Sequence, residues 1–179
     1  MDRINMKKSE RLGFFDTKGP DYVKIGSFRK LHVYVDQSVK GYIDVDVVDP
    51  TVQHGRSPQR LKRVLTIQLS ITEFKAFHID LTKLDKTYSG RGIAAQAYRY
   101  IIKKLGITLQ AGSVQSKGGR KVWFDLAQVM DLAVYAKSRH SKAYDVGIDT
   151  EEREVWLPSG KEIYDGVKEM FVFAKPWAA

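Results

Sequence analysis

One segment in the middle of the chain constrains the fold most, because it predicts a strand, a glycine turn and a helix in direct succession. Residues 74–81 alternate apolar and polar side chains, as a half-buried strand does. Residues 88–94 read Tyr-Ser-Gly-Arg-Gly-Ile-Ala, and residues 94–105 carry an amphipathic helical pattern that Gly106 ends. Free N–H groups and the helix dipole make such a helix start an anion site.

The rest of the chain mostly predicts strands. We expect an α/β protein of the α+β kind, with a single mixed, mostly antiparallel sheet flanked by helices. Residues 1–20 are expected to form an N-terminal arm, with a short helix near residues 9–15, and residues 21–179 a single domain. Strands are predicted at residues 22–25, 30–35, 42–48, 64–72, 76–84, 107–112, 132–136, 154–157 and 170–173.

The remaining segments predict loops and one more helix. Residues 49–60 contain Pro50, Gly55 and Pro58 and predict an exposed loop, and the polar residues 137–153 predict another. A second helix is expected within residues 113–126. No strong helical pattern precedes residue 90.

Composition and the lengths of the apolar runs exclude several kinds of site and a membrane span. The chain has 179 residues and no cysteine, which excludes disulfides, thiolate metal ligands and a cysteine nucleophile. The four histidines lack metal-ligand spacing, so no metal site is expected. Apolar runs are too short to span a membrane, and the polar N-terminus does not resemble a signal peptide. We therefore expect a cytoplasmic protein with no membrane partner.

The net charge of +9 is unevenly spread, because no acidic residue lies between Asp85 and Asp125. Three explanations stand: attraction of the phosphates of coenzyme A, binding of nucleic acid, or a solvated face that maintains solubility. The basic residues of this stretch are Lys86, Arg91, Arg99, Lys103, Lys104, Lys117, Arg120 and Lys121.

The glycine turn resembles the acetyl-CoA-binding core of the GCN5-related N-acetyltransferases (GNAT). Their fingerprint is Gln or Arg, two residues, Gly, one residue, then Gly or Ala. Gly92 and Ala94 fill the last two positions, whereas Ser89 stands where Gln or Arg is usual. The resemblance covers residues 64–136 and is closest to compact members common in bacteriophages. It implies a GNAT-like acyl-CoA N-acyltransferase fold and acetyl transfer from acetyl-CoA to an amine of a protein or small molecule.

The resemblance also implies which residues hold acetyl-CoA. Backbone amides near the end of the strand before the turn would polarise the thioester, and amides of the turn would hold the pyrophosphate. A second glycine turn, at residues 116–120, would contact the pantetheine arm or the 3′-phosphate. The alternative for the first glycine turn is a plain strand-to-helix turn, and the alternative for the second is a capped helix start. The implied residues are Leu81, Thr82, Leu84, Ser89, Gly90, Arg91, Gly92, Ile93, Ala94, Lys117 and Arg120.

Catalysis would need a base for the amine and an acid for the departing thiolate. His78 or Asp80 is the candidate base, on a strand face expected to include Thr82 and to lie opposite Phe77, Ile79 and Leu81. The resemblance implies a tyrosine or serine as the acid, and Tyr135 and Ser116 are the candidates. Each of the four also has a structural alternative: an exposed or cross-strand polar residue for His78, a surface or turn-stabilising carboxylate for Asp80, strand packing for Tyr135, and a loop or helix-cap residue for Ser116.

Two other functions stay open. The first is a non-catalytic relative, such as a phage virion or host-takeover protein. It is favoured by Ser89 at the usual Gln or Arg position, by the lack of early helices and by the lack of a clear base. A phage-encoded protein would lie in the host cytoplasm or in the virion. A nucleic-acid-directed protein on the same scaffold agrees with the basic stretch.

Overall fold

The structure, a computed structural model, describes residues 13–16, 21–54, 57–112, 116–138, 144–145 and 170–177. In this part, the chain forms an α+β fold of one mixed sheet and two α-helices. The strands are β1 (Phe14–Asp16), β2 (Tyr22–Phe28), β3 (Leu31–Asp36), β4 (Tyr42–His54), β5 (Ser57–Ile71), β6 (Phe77–Leu84), β7 (Leu109–Gln110), β8 (Leu132–Ser138), β9 (Tyr144–Asp145) and β10 (Met170–Pro176).

The sheet has the order β2-β3-β4-β5-β6-β7-β10-β8-β9, and β1 pairs with β5 beside this path. Its strand pairs are antiparallel except β6 with β7. Helix α1 (Ile93–Leu105) connects these two parallel strands, and α2 (Lys117–Ala127) connects β7 to β8. A 3-10 turn (Lys86–Tyr88) precedes the glycine turn.

Helix α1 covers one face of the sheet, which we call the helix face; it carries Val33, Val45, Leu65 and Ile67, all fully buried. The helix buries five side chains at helical spacing against it: Ile93, Ala97, Tyr98, Ile101 and Ile102. Gly106 ends α1 in a left-handed conformation, as predicted.

The opposite face, the open face, carries Tyr34, Asp46, Thr66 and His78. Near β1 it is buried, and Asp46 lies 2.9 Å from Arg63 and accepts a hydrogen bond from Thr66. Burial raises the pKa of the Asp46 carboxyl, although Arg63 and Thr66 oppose this effect. A charged network therefore supports this side of the sheet.

Two sequence predictions are wrong in this region. Residues 49–54 continue β4 and residues 57–60 begin β5 instead of forming a loop. The pairing of the two strands shifts register between Val47 and His54, so Pro50 lies where the ladder is interrupted. Residues 14–16 form β1 instead of the end of a helix, because Phe15 packs against Tyr22 and Tyr34. No α-helix precedes Ile93 among the described residues.

Two further predictions can be placed only partly. The predicted strand at 154–157 lies outside the described residues. The second helix, expected within residues 113–126, spans Lys117–Ala127. No helix in the described ranges is long and apolar enough to cross a membrane.

Candidate functional site

A gap opens between the parallel strands β6 and β7. They pair only where the first two residues of β6 lie opposite β7. Beyond that point β6 runs on to Leu84, beside β5. The chain after β7 follows a different neighbour, because the N–H of Ala111 donates to the carbonyl of Val172 in β10 over 2.8 Å. The two strands therefore diverge toward the end of β6.

A bulge in β6 lies where the divergence begins. The register of β6 against β5 shifts at Asp80, which opposes no residue of β5. A bulge of this kind changes the face that later side chains take. Thr82 turns to the helix face, where its hydroxyl lies 2.5 Å from the hydroxyl of Tyr98. The prediction that Thr82 shares a face with His78 is therefore wrong, and Leu81 takes the open face.

Backbone amides of β6 point into the gap. The N–H of Asp85 donates to the carbonyl of Val64 in β5 over 2.8 Å. Because successive N–H groups of a strand point in opposite directions, those of Thr82 and Leu84 turn away from β5 and toward the gap. The same alternation turns the N–H of Leu81 toward β5. Two of the three β6 residues implied to hold the thioester thus present their amides there.

The two candidate bases, His78 and Asp80, contact each other on the open face. Oδ1 of Asp80 accepts a hydrogen bond from the hydroxyl of Ser70 at 2.9 Å and lies 3.0 Å from Nδ1 of His78. Because Asp80 accepts at this position, the proton of a neutral His78 belongs on Nδ1, and Nε2 is left as an acceptor. The two side chains are 26% and 28% exposed. The arrangement suits His78 as a base that Asp80 orients.

The glycine turn has the predicted geometry. Gly90 and Gly92 adopt φ values of 75° and 68°, which glycine accepts without steric cost. Gly92 is the N-cap of α1, and no side chain caps it. The first helical bond runs from the N–H of Gln96 to the carbonyl of Gly92, so the N–H groups of residues 93–95 precede the hydrogen-bonded turns. A Cβ added at either glycine would meet no atom within 4 Å, so the turn is open on its outer side.

The tip of the β2–β3 hairpin reaches the glycine turn. The Arg29 guanidinium donates to the carbonyl of Arg91 over 2.6 Å. Arg29 and its neighbour Lys30 have φ values of 46° and 66°, which non-glycine residues rarely adopt. The Arg91 guanidinium lies 5.2 Å from the centre of the Tyr88 ring. Two guanidinium groups therefore lie beside the start of α1.

Two carboxylates hold the segment that precedes the turn. Asp85 forms an ion pair with Lys62 at 2.6 Å and caps the 3-10 turn by accepting from Thr87. Burial alone would raise the pKa of Asp85, but the bonds from Lys62 and Thr87 outweigh it and bring the pKa to about 2. Tyr88 donates to Asp49 over 2.8 Å, and burial together with this bond raises the pKa of Tyr88 to about 12.

Ser89 serves this local structure. Its N–H donates to the carbonyl of Lys86 over 3.1 Å, so this amide is engaged within the 3-10 turn. The amides that precede the hydrogen-bonded turns of α1 lie later, at residues 93–95. They include Ala95, which sequence reasoning did not single out.

The basic stretch is partly neutralised by the fold. Asp131 binds both Arg99, at 2.8 Å, and Lys103, at 2.6 Å, and these bonds bring its pKa to about 2. Lys121 pairs with Asp125 one helical turn away, at 2.8 Å. The basic residues of the stretch that the described side chains place outside these ion pairs are Lys86, Arg91, Lys104 and Arg120.

The candidate acids lie apart from the gap. Tyr135 is on β8, three strands from β6, which corresponds to about 14 Å. It stacks on Phe173 at 5.2 Å, and burial raises the pKa of its hydroxyl. Ser116 is the N-cap of α2 and accepts from the N–H of Gly119 over 3.1 Å, which agrees with its structural alternative. Arg120 follows in the first turns of α2, whereas the side chain of Lys117 lies outside the described part.

Comparison of the chain with protein-family models, curated proteins and solved structures found no match. The described residues contain no group of three or more side chains that could hold a metal ion. The geometry of the gap and of the glycine turn therefore carries the functional argument.

Proposed function

We propose that the protein is an acetyl-CoA-dependent N-acetyltransferase with a GNAT-like fold. The observation that carries the proposal is the divergence of β6 and β7, which begins at the Asp80 bulge and is followed directly by the uncapped start of α1. Backbone amides in this order can donate hydrogen bonds first to the thioester and then to the pyrophosphate. The proposal is supported by the positive charge of Arg29 and Arg91 at the same place.

In this proposal the backbone does most of the binding. The N–H groups of Thr82 and Leu84 donate to the thioester arm in the gap. The N–H groups of residues 93–95 donate hydrogen bonds to the pyrophosphate, and the dipole of α1 also favours its negative charge. Gly90 and Gly92 admit the phosphate because no Cβ stands in its way. The guanidinium of Arg91 adds charge.

The acceptor amine approaches from the open face, where His78 and Asp80 lie. Nε2 of His78 takes a proton from the ammonium group of the acceptor, and the freed lone pair forms a C–N bond to the carbonyl carbon of the thioester. The C–S bond breaks, and its electron pair leaves on the sulfur of coenzyme A. The second amine proton is lost as the amide forms, and the thiolate takes one proton from solvent. Asp80 holds the imidazole in the tautomer that this step needs.

The nucleic-acid alternative is weakened by the ion pairs of Asp131 and Asp125, because they remove three cations from the basic stretch. It predicts binding to duplex DNA that falls steeply with salt, with a log–log slope of about 0.9 for each phosphate contact. Measuring this slope beside acetyl-CoA affinity separates the two functions.

Titration calorimetry with acetyl-CoA tests the proposal, with one variant at each end of α1. Arg91→Ala should weaken binding severalfold, because it removes a charge near the pyrophosphate. Lys104→Ala makes the same charge change at the far end of the helix and should leave the affinity unchanged. Absence of acetyl-CoA binding, or equal effects of the two variants, would contradict the proposal.

A further inference from the structure

A row of directly paired residues crosses the open face beside the gap. Ser70 lies opposite His78, His78 opposite Gln110, Gln110 opposite Phe173, and Phe173 opposite Tyr135. Directly paired residues point to the same face of a sheet, so all five side chains lie on one face. Their chain neighbours Leu69, Ile79, Leu109, Val172 and Val134 belong to the core under α1. The row is therefore on the open face.

Gln110 has an unusual position in this row. It is only 4% exposed, and its buried Oε1 has no hydrogen-bond partner among the described residues. A buried acceptor without a partner costs about 1–3 kcal/mol, so a fold retains one where something else supplies the donor. Gln110 lies one strand spacing from His78, about 4.8 Å. Because the His78 side chain is 26% exposed, the row opens to solvent beside this oxygen.

Aromatic side chains continue the row beyond Gln110. Phe173 stacks on Tyr135 with 5.2 Å between ring centres and forms a T-shaped pair with Phe74 with 5.6 Å between ring centres. Phe74 and Tyr135 are both partly exposed. The ammonium group of Lys175 lies 5.4 Å from the centre of the Tyr135 ring. This end of the row therefore suits an apolar group and disfavours a second positive charge.

We propose that the row formed by His78, Gln110, Phe173 and Tyr135, with Phe74 beside it, binds the acetyl acceptor, and that the acceptor is a primary monoamine on an apolar, aromatic stem. One N–H of the amine donates to Oε1 of Gln110, while His78 takes the proton that acetyl transfer releases. The stem lies along the aromatic side chains. The assignment as acceptor site rests on the proposed acetyl transfer, whereas amine binding to the row does not.

Titration calorimetry of the full chain with 2-phenylethylamine tests the inference. Gln110→Met keeps the side-chain volume and removes the unpartnered oxygen. The dissociation constant should rise about tenfold or more, since hydrogen bonds to charged groups contribute about 1.5–3 kcal/mol. The melting temperature should not fall, because the oxygen that the substitution removes has no partner among the described residues. Gln68→Met, on β5 two strands away from Gln110, is the matched control and should leave the affinity unchanged.

A second probe isolates the N–H donor. The N,N,N-trimethyl derivative of 2-phenylethylamine keeps the charge and the ring but has no N–H group. It should bind the parent protein more weakly than the amine does, and Gln110→Met should not change its affinity. Absence of phenylethylamine binding, equal affinity in parent and Gln110→Met, or a clear fall in the melting temperature of that variant would overturn the inference.

The same calorimeter separates this inference from the proposed function. Acetyl-CoA binding without a Gln110-dependent amine site overturns the inference alone. A Gln110-dependent amine site in a protein that does not bind acetyl-CoA overturns the proposed function, and the amine site remains.

Discussion

The two ends of α1 provide a matched pair of positions, because Gly92 and Gly106 have nearly the same backbone conformation. Their φ values are 68° and 64°, and a Cβ at either would meet no atom within 4 Å. Alanine at each position should therefore carry the same cost, about 1–2 kcal/mol for a left-handed residue. Thermal unfolding should show similar shifts, about 2–4 °C for each kcal/mol in a chain of this size.

Acetyl-CoA binding should separate the two variants. In Gly92→Ala the new methyl group occupies the outer side of the turn, where the phosphate must approach the amides. Losing one charge-assisted hydrogen bond there should weaken binding about tenfold or more. Gly106→Ala should bind like the parent in the same calorimetric titration. Equal affinities of the two variants would refute the placement of the phosphate, because both carry the same strain.

Other predictions concern the base, the turn and the β2 strand. His78→Gln should slow acetyl transfer to primary amines by about 100-fold or more, and Asp80→Asn by less, with acetyl-CoA affinity unchanged in both; parent-like rates would remove the two residues from the mechanism. Because the pKa of Asp85 is about 2 in the folded protein, against 3.8 ordinarily, its carboxylate stabilises the fold above pH 3.8, and the contribution is lost as the pH falls toward 2. Asp85→Asn should thus cost about 2 kcal/mol at neutral pH, and the difference should shrink in acid denaturation; a constant difference would contradict the ion pair. Gly26→Ala places a Cβ 2.1 Å from the Tyr100 hydroxyl. The loss of unfolding free energy that Gly26→Ala causes should therefore be about 1–2 kcal/mol larger in the parent than in the Tyr100→Phe background. Equal losses in the two backgrounds would show that the hydroxyl does not clash with the new Cβ.

Local sequence signals predicted the central segment well. The glycine turn, α1 and its stop at Gly106 follow from turn chemistry and from a helical repeat that covers the whole segment. The parallel pairing of β6 with β7 and their divergence did not follow, because the sequence contains no signal for the bulge. Asp80 is an ordinary strand residue in an alternating pattern, and the bulge reverses the face of Thr82.

Contacts between residues that are far apart in the sequence also could not be predicted. Arg29 reaches Arg91 across 62 residues of sequence, and Tyr88 reaches Asp49 across 39. Pairing of this kind depends on strand register, which single-residue patterns do not specify. The same holds for Gln110, whose neighbours come from the parallel strand β6 and from the end of the chain.

Hydrogen exchange of individual amides, with and without acetyl-CoA, tests the central claim most directly. In the free protein the N–H groups of Thr82 and Leu84 point into the gap, and those of residues 93–95 precede the hydrogen-bonded turns of α1, so they should exchange quickly. Acetyl-CoA should slow exchange at these positions and leave the N–H of Leu81, which points toward β5, unchanged. Unaltered exchange at Thr82, Leu84 and residues 93–95 under saturating acetyl-CoA would contradict the account.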